Sequence, residues 1–365
     1  MHFILYKPRR QVHKKMGRAF LALIALFCIA AQTGCSRSLQ ADATKIAKAG
    51  TVTANQMADY YESLAQADID SWELESFQIG LLGATPLPAD ATPPTPAEVA
   101  LALNERRQQV KAIGDTYKKE YDYLIARARL ARQVGKVYSS FARLANYDTT
   151  EEVSKSLDTL KSQVEDLRGK PLNLGQSIGS LPITPENILN DIVKELTVVQ
   201  QNRAYLREAK RLISTLEKLK QLFDAETPAY NLIAQRRTTN YRGIAISLVR
   251  RKSVVSREIL SRFLDTFQLK WPEPPETFTD AQMIEGVVGL INARATPLAT
   301  ISENTADALS ASLDDLISLH KNLQARRAVS LTEIAQQSET VQALLEALNK
   351  ASKNTLIPVL NKLDR

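Results

Sequence analysis

The chain has 365 residues and a formal net charge of +7, but the excess positive charge lies at its N-terminus. Residues 1–35 hold six Lys and Arg residues and no Asp or Glu, which leaves a net charge of +1 on residues 36–365. Both cysteines and two of the three histidines also lie in residues 1–35. A near-neutral body with one histidine argues against nucleic-acid binding, a disulfide framework, a His/Cys metal site and a cysteine nucleophile. We therefore expect no cofactor and no enzymatic activity.

The N-terminus has the layout of an export signal. A basic head between Lys7 and Arg18 is followed by an apolar run from Ala19 to Ala31. That run is shorter than the roughly 20 residues that a helix needs to cross a bilayer. We expect residues 1–34 to be a signal peptide. Met16 opens a compact version of the same pattern and is an alternative start of translation.

The signal ends in the sequence Gln-Thr-Gly-Cys at residues 32–35, which resembles the lipobox of bacterial lipoproteins. This resemblance covers residues 1–35 alone. It implies that a peptidase cuts before Cys35, that the Cys35 thiol carries a diacylglyceryl group, and that the protein is membrane-bound through this lipid. Enteric-type sorting retains lipoproteins with Asp at the next position on the inner membrane. Ser36 therefore implies the outer membrane, facing the periplasm of the cell envelope.

Two other outcomes for the N-terminus remain open. It is cut as an ordinary secretory signal near Ala30, or it is retained as an anchor. Neither alternative would place lipid on Cys35.

Long stretches rich in Ala, Leu, Gln, Glu, Lys and Arg lie between three clusters of prolines. These residues are strong helix formers, and no stretch alternates apolar and polar residues as a half-buried strand does. Capping boxes predict helix starts at Thr95 and Thr279, and a similar pattern at Thr149 predicts a new helix after residues 146–148. The predicted helical segments are about 41–82, 97–168, 186–270 and 279–363.

The same signals divide the chain into segments. Residues 35–83 form an N-terminal helical segment, and residues 84–96 form a Pro-rich linker. Residues 97–365 form a helical bundle with breaks near 169–185 and 271–278. Within it, Pro228 and Pro297 fall inside predicted helices and should kink or interrupt them.

Apolar side chains recur every seven residues along the predicted helices. Leu103, Val110 and Tyr117 begin one such series, which continues through Leu124. Long helices with such stripes bury them against other long helices. The sequence therefore predicts an all-α fold, an elongated antiparallel bundle of about four main helices with coiled-coil-like packing. His320 falls on a predicted seam, and we expect it to be a core histidine bonded to a facing helix.

Basic residues are concentrated between Thr227 and Leu264, where Glu258 is the sole acid. On one continuous helix, six arginines would share an arc of roughly 160°. Such a face is either exposed to solvent or paired with acidic side chains of the segment 36–96. Alternatively, it binds an envelope protein, an anionic lipid or an anionic polymer. The six arginines of this candidate interaction surface are Arg236, Arg237, Arg250, Arg251, Arg257 and Arg262.

These features favour a lipid-anchored helical scaffold or adaptor of the cell envelope. Two other classes stay open: a helical membrane-active protein, and an enzyme that uses carboxylates, Lys and Tyr. Residues 36–365 contain no second apolar stretch of about 20 residues, which argues against the first. No residue spacing supports the second.

Overall fold

The computed structural model describes the backbone of residues 12–82, 95–146, 150–168, 205–252, 255–265, 278–295, 297–325 and 329–353, with residues 268 and 327. Side-chain surroundings are described for most of these residues from position 41 onward. The described residues form eight α-helices and no strands, which confirms the predicted all-α bundle. The helices are α1 (Val12–Phe77), α2 (Pro96–Asn146), α3 (Thr150–Arg168), α4 (Tyr205–Arg250), α5 (Ser256–Asp265), α6 (Asp280–Ala295), α7 (Pro297–Gln324) and α8 (Thr332–Lys353). A π-helical turn, Gln78–Leu82, continues α1.

Helices α1 and α2 form an antiparallel pair on which the other helices are built. Gly50 of α1 lies against Tyr138 near the end of α2, whereas Trp72 lies against Gly114 nearer its start. α3 packs on α2, while α4, α7 and α8 pack on α1 and on one another. The core therefore runs along α1 and α2, and α2 alone, with 51 residues, is about 75 Å long.

Predicted helix starts agree with the structure where it describes them. Glu98 and Thr95 form a capping box in which the Thr95 backbone N–H donates to the Glu98 carboxylate at 2.7 Å. Thr279 and Gln282 form the second box, with the equivalent distance 2.9 Å. α3 begins at Thr150, next to the start predicted at Thr149. Local capping chemistry was enough to place these starts.

The predicted long segments 186–270 and 279–363 were wrong as single helices. Within the first, α4 ends at Arg250, Lys252 takes a positive φ of 56°, and α5 begins at Ser256. A left-handed residue ends a helix because its N–H bonds back into the last turn, here to the Val249 carbonyl at 3.0 Å. The second segment is divided among α6, α7 and α8.

Prolines explain one of these divisions. Pro297 is the first residue of α7, where its missing N–H costs no helical hydrogen bond, so it interrupts the predicted segment as expected. Pro228 lies inside α4, which continues through it to Arg250. The predicted break at 169–185, nearly all of the linker 84–96 and most of the break at 271–278 lie outside the described residues.

No helix among the described residues combines the length and the apolar character that crossing a membrane requires.

The Pro-rich linker at residues 84–96 and the limits of the domains stay predictions.

Close contact between α1 and α2 depends on small residues. A Cβ atom added at Gly50 would lie 2.5 Å from the Tyr138 ring. Tyr138 is itself buried and cannot move aside easily. Gly243 of α4, by contrast, has no atom within 4 Å of an added Cβ.

We expect Gly50→Ala to lower the free energy of unfolding by about 1–3 kcal/mol, because overpacking against a fixed ring outweighs the gain in helix propensity. The matched control Gly243→Ala should raise it by up to about 1 kcal/mol. Urea denaturation followed by circular dichroism measures both. Equal stabilisation by the two substitutions would contradict the packing described here.

Candidate functional site

A buried ion pair joins α2 to α4 in the centre of the bundle. The side chains of Arg127 and Glu226 are 2% and 0% exposed, and Arg127 Nε donates to Glu226 Oε2 at 3.1 Å. The hydroxyl groups of Tyr123 and Tyr230 also donate to this carboxylate. Four donated contacts, two from Arg127 and one from each tyrosine, satisfy the Glu226 carboxylate, which has no exposed surface.

The electrostatics of this cluster follow from burial and mutual contact. Burial raises the pKa of Tyr123 and of Tyr230 well above the ordinary tyrosine value, so both stay protonated and can donate. Burial alone would lower the pKa of Arg127, but the Glu226 carboxylate raises it above its usual value. Arg127 is therefore positively charged across the physiological pH range.

Aromatic side chains enclose the ion pair. The Tyr61 and Tyr230 rings meet edge to face with centroids 5.4 Å apart, and Tyr60 and Phe223 complete the cluster. The cavity beside Arg127 has a volume of only about 30 Å³, far below the roughly 300–1,000 Å³ of sites that bind small molecules. This cluster holds α4 against α1 and α2 and has no room for an organic substrate.

A second polar cluster lies farther along α4. Arg236 donates to Asp68 at 2.5 Å and also to Glu120, and its guanidinium lies 4.4 Å from the Tyr117 ring centroid. Asp68 Oδ2 and Glu120 Oε1 are buried and accept no hydrogen bond from a described group. Two buried carboxyl groups thus share one arginine, and a proton on Asp68 would balance the charge.

The pKa of Asp68 is raised by these surroundings. Burial raises this pKa most strongly, Arg236 opposes the rise, and the neighbouring carboxylate of Glu120 adds to it. The neutral form of Asp68 is therefore favoured at a higher pH than usual.

Arg237, the next residue, donates to Asp70 at 2.7 Å and is buried. Arg236 and Arg237 are therefore engaged with the acidic residues of α1 and α2. For these two arginines, the basic run is therefore paired internally with acidic side chains of residues 36–96.

The six arginines of the candidate interaction surface do not share one helical face. Arg250 and Arg251 are exposed at the end of α4, whereas Arg257 and Arg262 lie on the separate helix α5. Sequence reasoning assumed a helix that continued through Lys252, where the backbone turns. The surface is reduced to the exposed arginines near the α4–α5 junction.

His320 is a core histidine, as expected. It shares a hydrogen bond of 2.9 Å between its Nε2 and the hydroxyl group of Tyr138 on the facing helix α2. Its Nδ1 has no partner among the described groups. Burial lowers the pKa of His320 to about 4, so the ring is neutral at pH 7.

An open groove lies where α1 ends and α2 begins, and the sequence reasoning did not single it out. Its volume is about 700 Å³, within the range of sites that bind ligands. Trp72 and Leu103 are 38% and 45% exposed along it. Its lining is apolar side chains with a basic rim: Ile69, Trp72, Leu103, Val110, Tyr117 and Tyr121, then Arg106, Arg107, Lys111 and Lys118.

Cys35 lies within α1, but the surroundings of its side chain are outside the described part. Among the described residues, no group of three or more His, Cys, Asp or Glu side chains could hold a metal ion.

Removing one member of the central ion pair should be severe. We expect Arg127→Met to lower the free energy of unfolding by about 3–5 kcal/mol, because Glu226 would be left buried and uncompensated. The matched control is Arg132→Met on the same helix, where Arg132 is half exposed and pairs with Glu62 at 2.7 Å. That change should cost at most about 1 kcal/mol. Denaturant titration measures both, and a comparable cost for the two would contradict the assignment.

The histidine adds a pH dependence whose sign follows from its pKa. Because the folded-state pKa is lowered, the unfolded chain binds the proton more readily, and stability is lost as the pH falls from about 6.5 towards 4. Relative to His320→Gln, the wild-type chain should lose up to about 1.4 kcal/mol per pH unit in that window. Denaturation of both chains at several pH values measures the difference. A difference that does not change with pH would show that folding does not lower the pKa of His320.

Comparison of the chain with protein-family models, with curated proteins and with solved structures finds no match to any of the three.

Proposed function

We propose that the protein is a lipid-anchored helical adaptor of the bacterial cell envelope, with lipid on Cys35 and a helical body that binds an envelope partner. The helix that contains Cys35 is the same helix, α1, that supplies the bundle core from Ala43 onward. A lipid on Cys35 would therefore be joined to the folded body without an intervening flexible linker.

The dimensions of α1 support a tether with a working end. At about 1.5 Å per residue, Trp72 lies roughly 55 Å along the helix from Cys35. The open groove at Trp72 would then lie at the end of the body that is remote from the lipid on Cys35. Two or three acyl chains are sufficient for stable attachment, since each buried CH₂ contributes about 0.8 kcal/mol.

The use made of the buried ionisable groups also favours an adaptor. Arg127 pairs with Glu226, and Arg236 pairs with Asp68 and Glu120. These groups hold one helix against another, so their charges serve packing. The partner is an envelope protein, because Arg236 and Arg237 pair with acidic side chains of α1 and α2 and are not available for anionic lipid or polymer.

The test of anchoring compares the two cysteines. Cells that make the wild-type chain or Cys28→Ser should incorporate labelled palmitate into the protein, whereas Cys35→Ser should not and should leave the membrane fraction. Cys28 is the matched control because it lies seven residues earlier in the same stretch. Labelled Cys35→Ser protein, or an unlabelled wild-type protein, would contradict lipidation.

A further inference from the structure

The groove at the end of α1 and α2 continues the packing seam of the bundle. Along α2 its lining includes positions 103, 107, 110, 114, 117 and 121, whose spacings alternate between four and three residues, and positions 106, 111, 115 and 118 flank this series. This spacing is the one by which a helix receives another helix. At Tyr117 the seam is covered, since Arg236 of α4 lies over that ring.

Towards the start of α2 the seam is open. Leu103 and Trp72 are partly exposed there, and Gly114 lets the Trp72 ring lie close, with an added Cβ only 3.2 Å from the indole nitrogen. No other helix of the described residues is found in the lining. From Leu103 to Tyr117, where Arg236 covers the seam, the open groove is about 21 Å long, the length of about four helical turns.

The rim of the groove is basic. Arg107 and Lys111, one helical turn apart, are exposed and make no ion pair with a described side chain. Lys118 adds a third positive charge, which it shares with Asp122 at 2.8 Å. On the acidic side, Asp115 is exposed, while buried Asp68 is paired with Arg236. The local field therefore favours a negatively charged occupant.

We propose that this groove binds an acidic amphipathic helix of a partner protein, an inference that names the working surface of the adaptor proposed above. The apolar face of such a helix would cover Leu103, Val110 and Trp72, and its carboxylates would meet Arg107 and Lys111. An acyl chain would leave much of its surface in water in so open a groove, whereas a helix presents its polar face there. A second copy of the chain would bring two basic rims together.

The binding experiment uses the full chain in nanodiscs of zwitterionic phosphatidylcholine, with Trp271→Phe so that Trp72 is the one tryptophan left. The probes are two fluorescent peptides of about 20 residues with Leu at the heptad a and d positions. One carries Glu at its flanking positions and the other carries Lys. Anisotropy of the peptide measures affinity, emission of Trp72 reports contact in the groove, and empty nanodiscs give the background.

We expect the Glu peptide to bind and to shift the Trp72 emission, and the Lys peptide to bind at least about tenfold more weakly. The double variant Arg107→Glu/Lys111→Glu should reverse this preference, and Leu103→Gln should weaken binding of the Glu peptide. Matched controls lie outside the groove: Arg129→Glu/Lys136→Glu on α2, and Leu232→Gln, whose side chain is 38% exposed on α4. Both controls should leave the affinity within about twofold.

Four outcomes would overturn the proposal. They are equal binding of the two peptides, failure of the Glu peptide to bind, a Trp72 shift caused by phosphatidylglycerol vesicles in place of the peptide, and energy transfer between labelled copies of the chain that Leu103→Gln abolishes. The last two would assign the groove to lipid or to a second copy. If a chain without lipid on Cys35 binds the peptide, the groove proposal is supported and the anchoring proposal is contradicted. If the chain carries lipid but does not bind the peptide, the anchoring proposal is supported and the groove proposal is contradicted.

Discussion

The fold depends most directly on the buried ion pair between Arg127 of α2 and Glu226 of α4. A buried charge is tolerated only when it is paired and hydrogen-bonded, and Tyr123 and Tyr230 supply the additional donors that Glu226 requires. Sliding α4 by one turn would separate the charges and leave both buried. The pair therefore specifies the register of α4 on α1 and α2, while apolar packing supplies the larger share of the stability.

That register has consequences at the far end of α4. With Glu226 opposite Arg127, the residues ten and eleven positions later are brought against α1 and α2, where Arg236 meets Asp68 and Arg237 meets Asp70. Acidic side chains from the acidic segment 36–96 thus pair with arginines of the basic helix α4. On the N-terminal side of Tyr117, the start of α2 packs beside α1, and the groove between the two helices is open.

The periodicity of the sequence was sufficient to predict an all-α bundle, and capping chemistry placed the starts near Thr95, Thr150 and Thr279. Both are local signals. The turn at Lys252 had no Gly or Pro to announce it, so the basic run was taken as one helix. The inward direction of Arg236 depends on Asp68, 168 positions away in the chain. The seam at Leu103 was visible, but whether another helix covers it is decided by tertiary packing.

Hydrogen exchange on the full chain distinguishes the tightly packed core around Arg127 from the open start of α2. Amides of α2 around Arg127 should exchange only when the whole bundle unfolds, whereas those between residues 97 and 113 should exchange through local opening. Mass spectrometry of fragments along α2 measures both rates. We expect the amides of residues 97–113 to exchange much faster than those near Arg127. Added denaturant should accelerate exchange of the amides near Arg127 far more steeply than exchange of the amides of residues 97–113. Uniform protection along α2 would contradict this expectation.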